Sequence, residues 1–507
     1  MRLALRLDPS RLRRWHLDLA ERLARRARTT VTLEWAIDFT EPSTALALLC
    51  RFESLVYGVP AAALEAVNPA QFAPFAAEAN EVADLVIDLT SSRPRAGEPT
   101  WHVTFDGRPG EAAAVGALTR GRRPVVAVRD ARTGVEIVSG HPGVENGLIM
   151  VLAAQDVLAR TATLLRAAID GAAPRHVGDR PYAVTTTPWR LARFAAKSLL
   201  LGAVGSLYRL CFFAPHWRVG WRVIEGPDMV ELCAHPARGW RELPDDGVRF
   251  YADPFPIEKD GKTYVFVEEF DHRIGRGVIS VVELDERGPV GTPRPVLDTG
   301  SHLSYPSVFE HAGDMWMVPE SCTAASVDLY RATQFPDRWV KEITLVAGIV
   351  ASDATLFEHD GRWWMLATVQ DGGSFSDALH VWSAPALRGP WRPHRHNPVL
   401  VDAASARPAG RVVRRDGKLI RPFQDCRGRY GAAIGLAEII RLDDEAFEQR
   451  VEGFVRPGPL WPGRRLHTIN RAGRFECIDG SAWAPRFRPL ARRRPAALVP
   501  TRPMIEA

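Results

Sequence analysis

The sequence predicts two domains of different fold class, an α/β domain with a mostly parallel sheet over residues 1–175 and an all-β five-bladed propeller over residues 217–485. Apolar strand-like runs alternate with helical stretches in the first third of the chain. One strand–turn–strand pattern then recurs five times in the second half. The 507 residues, 46% hydrophobic and 25% charged, are typical of folded protein with two to four domains.

In the first domain, short apolar runs predict the strands and three-to-four spacing predicts the helices. Neither a G-x-G-x-x-G turn nor a P-loop follows the first strand, so the sequence predicts no nucleotide cofactor. The predicted strands are Leu3–Leu7, Val31–Ile37, Leu85–Leu89, His102–Phe105 and Val125–Val128, and the helices are Leu12–Ala27 and Gly147–Ile169.

Residues 176–216 are predicted to be a linker that contains an apolar helix. Between Lys197 and Arg209 lie 11 uncharged residues, fewer than the roughly 20 that a bilayer-spanning helix needs. Two interpretations of residues 193–213 stay open. The helix packs between the domains, or it is a basic amphipathic helix on a membrane surface.

The five repeats each place an apolar strand, a tight turn ending in glycine, and an aromatic-rich strand. Spacings of 52, 48, 56 and 56 residues between the turn glycines are typical of propeller blades with about four strands each. Six tryptophans also fall in these blades, where most are expected to be core residues between blades. The turn glycines are Gly261, Gly313, Gly361, Gly417 and Gly473.

Two columns of polar residues are expected to ring one mouth of the central channel. Positions eight before and seven after each turn glycine lie side by side in an antiparallel hairpin, far from the turn. In the fourth and fifth hairpins the first column falls near Arg407 and His467. The predicted ring places four carboxylates, Asp253, Glu268, Glu320 and Asp353, opposite Arg407, Arg421, Gln424 and His467, with Tyr305 also in the first column.

Converging carboxylates are suited to glycosyl chemistry, in which one attacks or activates a group and another protonates the leaving oxygen. Asp253 is the predicted base or nucleophile, and Glu320 or Glu268 the acid. Asp353 is expected to tune the pKa of Asp253 or to bind sugar hydroxyls. The predicted substrate-binding residues are Tyr305, Arg407, Arg421, Gln424 and His467. The cationic ones suit a phosphate or a nucleotide-sugar, which favours transfer over simple hydrolysis.

The segments YADPF (251–255), SYPSVFE (304–310), DATLF (353–357) and RPFQD (421–425) resemble the N-terminal domain family of glucosamine inositolphosphorylceramide transferase. That family is similar to the five-bladed propellers of glycoside hydrolase family 43. The resemblance implies that Asp253 is the first-blade catalytic aspartate and Asp353 its third-blade partner. Family 43 has an acidic Glu where this chain has Arg407-Pro408, which counts against ordinary glycosidase activity. In the plant transferases the transfer chemistry is assigned to a separate C-terminal domain.

Residues 1–175 resemble, more weakly, the formyltransferase domain that precedes this propeller in bacterial relatives. The family's H-P-S-L-L-P motif is replaced by His141-Pro142-Gly143, and its catalytic Asn-His-Asp set is not recognisable. The resemblance therefore implies a formyltransferase-like domain that has lost its activity and serves in assembly or in holding a ligand.

Three functions stay open from the sequence: sugar transfer in glycan or glycolipid biosynthesis, hydrolysis or phosphorolysis of the family 43 type, and glycan binding without turnover. A net charge of +5 with interspersed acids argues against nucleic-acid binding. Scattered cysteines and the absence of a metal-ligand cage predict neither disulfides nor a metal site. Without an apolar signal segment, a cytoplasmic location is expected, with peripheral membrane contact through residues 193–213. Residues 486–507 are expected to be a disordered basic tail.

Overall fold

The N-terminal domain is built on a mixed sheet flanked by helices. The computed structural model describes residues 1–37, 44–76, 82–90, 95, 97–172, 174–176, 178, 186–237 and 239–486. Within these ranges the strands are β1 (Arg2–Leu7), β2 (Thr30–Trp35), β3 (Leu85–Asp88), β4 (Thr100–Phe105), β5 (Arg108–Pro109), β6 (Val126–Asp130) and β7 (Glu136–Gly140). The helices are α1 (Arg14–Ala24), α2 (Thr44–Tyr57), α3 (Glu111–Leu118) and α4 (Met150–Ile169), with 3-10 turns at Ala62–Leu64 and Pro69–Phe75.

The strand order is β2-β1-β3-β4-β6-β7, with β5 paired to β4. The pairs β1–β2, β1–β3 and β3–β4 are parallel, whereas β4–β6, β6–β7 and β4–β5 are antiparallel. The central strand β1 is buried from Leu3 to Leu7 because helices cover the sheet. The predicted α/β class is confirmed. The sheet is mixed, because its strands are parallel from β2 to β4 and antiparallel from β4 to β7.

A single long helix, α5 (Pro188–Cys211), leads from this domain to the propeller and ends in the short strand β8 (Phe212–Phe213). The predicted helix is present. Of the two interpretations of this helix, packing between the domains does not extend to its second half, because its buried residues are Leu191, Phe194 and Ser198.

The propeller is confirmed, with five sheets in the described part of the chain. The segment before blade 1 contains β9 (Trp217–Val223), α6 (Met229–Leu232) and β10 (Arg241–Glu242). Blade 1 contains β11 (Arg249–Lys259), β12 (Lys262–Asp271), β13 (Arg276–Leu284) and β14 (Pro289–Leu297). Blade 2 contains β15 (Ser304–His311), β16 (Asp314–Glu320), the 3-10 turn Cys322–Ala324, β17 (Ser326–Gln334) and β18 (Arg338–Ala347).

Blade 3 contains β19 (Ala351–His359), β20 (Arg362–Val369), β21 (Ala378–Ala384), β22 (Arg392–Pro393) and β23 (Leu400–Val401). Blade 4 contains β24 (Val413–Arg415), β25 (Lys418–Asp425), β26 (Ala433–Leu442) and β27 (Phe447–Val455). Blade 5 begins with β28 (Ile469–Ala472) and β29 (Phe475–Ser481), and β30 (Ala484–Pro485) then pairs with β8.

Blade 5 is completed by strands from the start of the propeller. β9 pairs antiparallel with β29, from Trp217 opposite Ser481 to Val223 opposite Phe475, and β10 pairs with β9. The first strands of the domain therefore close the ring against its last hairpin, which removes an open sheet edge.

The two domains meet through a buried ion pair. Arg160 of α4 is fully buried, and its Nε donates to Asp377 Oδ1 at 2.7 Å in the loop between β20 and β21. Arg160 Nη2 also donates to the carbonyls of Val369 and Ser374. The backbone of His141 exchanges hydrogen bonds with Val401 and Ala403. These contacts fix the N-terminal domain against blade 3 and the segment that leads to blade 4.

Candidate active site at the channel mouth

The same β-bulge occurs in the first strand of blades 1, 2 and 3. The strand register shifts between Ala252 and Phe255 in β11, and at the equivalent place in β15 and β19. Asp253, Tyr305 and Asp353 take left-handed φ angles of 49°, 45° and 56° there. A non-glycine residue in this region costs of order 1–3 kcal/mol, so surrounding contacts must hold it.

Carboxylates of the preceding blade supply those contacts. Asp479 of blade 5 accepts from the backbone N–H of Asp253 at 3.1 Å. Asp253 in turn accepts from the N–H of Tyr305 at 3.2 Å, and Glu320 from the N–H of Asp353 at 2.9 Å. Three acids of the mouth therefore satisfy backbone donors that the bulges leave without a strand partner.

Asp253 is buried beside an imidazole. Its Oδ1 accepts from Thr468 Oγ1 at 2.6 Å and lies 3.9 Å from His467 Nε2. Burial raises the pKa of Asp253 to about 6, against the lowering effect of His467. The opposite ring nitrogen, His467 Nδ1, lies 2.6 Å from Asp479 Oδ2. Burial lowers the pKa of His467, but Asp479 and Asp253 together raise it above its usual value.

Asp353 binds the cationic side chain of the cluster, Arg407. Its Oδ2 accepts from Arg407 Nε at 2.6 Å and from Gln424 Nε2 at 2.8 Å. Arg407 Nη2 also reaches Glu320 Oε2 at 3.5 Å. Burial raises the pKa of Asp353 to about 7, while Arg407 favours the ionised form. Arg407 thus links carboxylates of blades 2 and 3, and it is itself buried.

Glu268 is a further carboxyl of this cluster whose surroundings favour the neutral form. It lies opposite Ala252 in the ladder between β11 and β12, and it is buried. Burial, with added repulsion from Asp253 and Glu320, raises its pKa well above the usual value. His302 Nε2 is 3.6 Å from Glu268 Oε1. A carboxyl whose neutral form is favoured, near a second carboxylate, is the arrangement that acid–base catalysis on a sugar requires.

The structure brings seven of the nine predicted side chains together at the mouth: Asp253, Glu268, Glu320, Asp353, Arg407, Gln424 and His467. Tyr305 contributes its backbone N–H, while its hydroxyl lies deeper, 2.9 Å from Thr355 Oγ1 and 2.7 Å from the N–H of Gly410. Arg421 lies apart. Its Nη2 donates to the carbonyls of Ser405 and Ala406, and among the described residues no carboxylate is within salt-bridge distance of it.

The sequence columns missed four residues that complete the site. Asp479 precedes Gly480, which occupies the second column, and Thr468 follows His467. Trp217 stacks on the ring of His467 with centroids 3.9 Å apart. Tyr430, in the loop between β25 and β26, lies 4.8 Å from the Arg407 guanidinium and 5.2 Å from the His467 ring. Columns shifted by one residue would have found Asp479 and Thr468, but no local pattern marks the other two.

Two groups of described residues have potential metal-ligand atoms within 4.8 Å of one another. In the first, Asp253, His467 and Asp479, the short His467–Asp479 contact already uses one ring nitrogen. The second comprises His141, His176 and Asp402 at the domain joint. A cavity of about 350 Å³ opens at the other end of the channel, away from the carboxylates, and Arg411, Arg415, Asn470 and Arg471 are among its lining residues.

The fold and this cluster define a five-bladed propeller with a carboxylate-rich channel mouth. Residues 240–472 match the model of the family described as glucosamine inositolphosphorylceramide transferase 1, N-terminal. The chain is 32% identical over 251 residues to glucosamine inositolphosphorylceramide transferase 1 of Oryza sativa subsp. japonica, covering 48% of this chain and 33% of the relative. For the Arabidopsis thaliana protein of that name the identity is 31% over 229 residues, with 43% and 30% covered.

The match thus spans about a third of the length of these relatives, and the predicted resemblance of the propeller to this family is confirmed. Among solved structures, a thermostable family-43 glycoside hydrolase is similar at 16% identity and a TM-score of 0.31, with 42% of this chain and 78% of that chain covered. A family 117 glycoside hydrolase of Zobellia galactanivorans is similar at 11% identity and a TM-score of 0.35, with 52% and 90% covered. The likeness of residues 1–175 to formyltransferases stays a prediction.

Proposed function

We propose that this protein is a carbohydrate-active enzyme that transfers a sugar in glycolipid biosynthesis, with its active site at the propeller mouth. The observation that carries the proposal is the pair formed by Asp253, with a pKa of about 6, and Glu268, with a pKa raised well above its usual value. The raised pKa favours the neutral form of Glu268, and His467 favours the ionised form of Asp253. The match to a family named for sugar transfer to a phosphorylated lipid supports transfer as the reaction class.

Asp253 acts as base or nucleophile, held by Thr468 and by the His467–Asp479 pair. Glu268 acts as the acid that protonates the leaving oxygen. Glu320 is the less suitable acid, because its carboxylate is bonded to the N–H of Asp353 and lies near Arg407. Asp353 and Arg407 form an ion pair that positions the cluster.

A basic rim on blades 4 and 5 favours a phosphate-containing substrate. Arg429 and Arg464 are exposed and Arg465 is partly exposed, and all three belong to loops at the mouth end of these blades. The Arg465 guanidinium lies 5.6 Å from the Trp217 ring. Among the described residues no carboxylate is within salt-bridge distance of these three arginines, so their charge is available to an anion.

The test is an assay of the full chain with UDP- and GDP-sugars as donors and phosphoinositol lipids as acceptors. Sugar transfer that is lost in Asp253→Asn and in Glu268→Gln supports the proposal. Asp314→Asn is the matched control, because Asp314 is an exposed propeller aspartate at the start of β16. Full activity of Asp253→Asn and Glu268→Gln would overturn the site, and release of free sugar without any donor nucleotide would favour a hydrolase.

Glycan binding without turnover is a second candidate, favoured by the bulge contacts. Asp253, Glu320 and Asp479 each bond a backbone N–H, so part of the carboxylate ring has a structural role. Tyr430 also covers Arg407. Calorimetric binding of a sugar or phosphoinositol that Asp253→Asn leaves unchanged, with no product from any donor, would favour this candidate.

A further inference from the structure

The second half of α5 presents an apolar face to solvent. Leu200, Val204, Leu207 and Cys211 follow one another at intervals of four, three and four, so they share one helix face. The side chains of Leu200 and Leu207 are 65% and 64% exposed. Helix α2, which packs against α5, also has exposed apolar side chains, Leu48, Leu55 and Val56. Exposed apolar side chains that share one helix face are rare on soluble monomers unless something covers them.

The charged residues of the segment that contains this face have one sign. Residues 180–224 contain no Asp or Glu. Arg193, Lys197 and Arg209 lie on α5, and among the described residues no carboxylate is within salt-bridge distance of them. Cations without a carboxylate partner, beside an apolar helix face, complement anionic lipid headgroups.

Aromatic side chains lie at both ends of the helix. Trp189, in its first turn, is 75% exposed, and Trp483, next to its C-terminal end, is 63% exposed. The rings of Tyr208 and Phe212 pack on Trp483 with centroids 5.8 and 5.7 Å away. Tryptophan and tyrosine at the two ends of an apolar segment are typical of the membrane–water interface.

In the described part of the chain, α5 is the one helix long and apolar enough to cross a bilayer, but the domain contacts argue against crossing. The helix joins residues 1–172 to the propeller, so a crossing would place these parts on opposite sides of the membrane. Yet Arg160 and Asp377 pair across the joint at 2.7 Å, and both are fully buried. The middle of α5 is also tied to the N-terminal domain, through Tyr57 Oη to Ser198 Oγ at 2.6 Å, and its C-terminal end to the propeller, through the β8–β30 pairing.

The C-terminal end of this helix lies at the mouth end of the propeller. β29 runs from its turn at Gly473 toward the mouth, so Trp483 lies just beyond the mouth end of blade 5. Phe213 stacks on His272, which follows the mouth end of β12, with ring centroids 4.4 Å apart. The C-terminal end of α5 is therefore anchored on the same end of the propeller as the carboxylate cluster.

From these observations we infer that α5 lies flat on an anionic lipid surface, with Leu200, Val204 and Leu207 inserted and the channel mouth beside the headgroups. This inference goes beyond the proposed function and does not depend on it. If the proposed function holds, the same surface delivers the lipid acceptor to the mouth.

The test is sedimentation of the full chain with phosphatidylcholine vesicles, with and without phosphatidylglycerol. Binding is expected to the anionic vesicles, to weaken as salt is added, and to fall at least about tenfold in Leu200→Glu/Leu207→Glu. The control is Val290→Glu/Ile440→Glu, two exposed apolar residues at the end of the propeller away from the mouth, which should bind like the unmodified chain. Melting curves verify that both double variants are folded.

Equal vesicle binding by the two double variants would overturn the inference, as would no binding of the unmodified chain to either vesicle. Resistance of the bound chain to alkaline extraction would show a spanning helix instead. Self-association that Leu200→Glu/Leu207→Glu abolishes, without vesicle binding, would show that a second copy covers the face. Asp253→Asn should bind vesicles like the unmodified chain. A wrong assignment of the active site would therefore leave vesicle binding intact, whereas a wrong assignment of the lipid-binding face would not.

Discussion

At the residue scale, Asp253 is both the candidate base and the acceptor for a backbone N–H of the next blade. Asp253→Asn keeps an oxygen for Tyr305 N–H and removes the charge, so turnover should fall about 10²–10⁴-fold with little change in melting temperature. Asp253→Ala also removes the acceptor and should lower the free energy of unfolding by about 1–3 kcal/mol. Steady-state rates and thermal melts of both variants measure the two effects. Equal melting temperatures for Asp253→Asn and Asp253→Ala would contradict the structural role of Asp253 as an acceptor for the N–H of Tyr305.

The pH dependence follows from the same carboxylate. Asp253 must be ionised to act, and its pKa is about 6, so kcat/KM should rise as pH increases through about 6. Glu268 must be protonated, and its pKa is raised, so the rate should fall again at higher pH. Since His467 lowers the pKa of Asp253, His467→Gln should move the acidic limb to higher pH. A limb that stays at the same pH in His467→Gln would show that another group is titrating.

At the element scale, the tight turns made the propeller predictable. Asp360 and Gly361 have φ angles of 50° and 71°, the two positive values of a type I′ hairpin turn. Gly361→Ala places a Cβ in that region and should cost about 1–2 kcal/mol of unfolding free energy. Gly428→Ala is the control, because Gly428 has no positive φ and no atom within 4 Å of an added Cβ. Denaturant titration of both variants measures the difference, and equal midpoints would contradict the turn assignment.

Elements whose pattern is local were predicted, whereas elements defined by distant partners were not. The five hairpins follow from period-2 strands and turn glycines, and the register placed Glu268 and Glu320 beside the bulges as expected. The pairing of β9 with β29 joins residues more than 250 positions apart and leaves no local signal. For the same reason Tyr430 and Trp217 were missed. The sequence left two interpretations of α5 open because composition and periodicity do not distinguish a helix packed between domains from an exposed amphipathic helix.

At the scale of the whole molecule, the domain joint is connected to the site. Arg160 donates to the carbonyl of Ser374, and the next carbonyl along the loop, that of Phe375, accepts from Arg407 Nη1 at 3.4 Å. The N-terminal domain thus holds the loop that borders the cationic side of the mouth. This contact gives the domain a positioning role even without chemistry of its own.

Arg160→Ala should therefore affect both stability and activity. It leaves the Asp377 carboxylate buried without its cation, which costs about 3–5 kcal/mol of unfolding free energy. It also frees the loop that contacts Arg407, so sugar transfer should fall more than vesicle binding does. Arg25→Ala removes an exposed i,i+4 pair with Glu21 and should change stability by less than about 0.5 kcal/mol. Thermal melts and transfer rates of the two variants provide the comparison. Unchanged transfer in a clearly destabilised Arg160→Ala would show that the joint stabilises the fold without positioning the mouth.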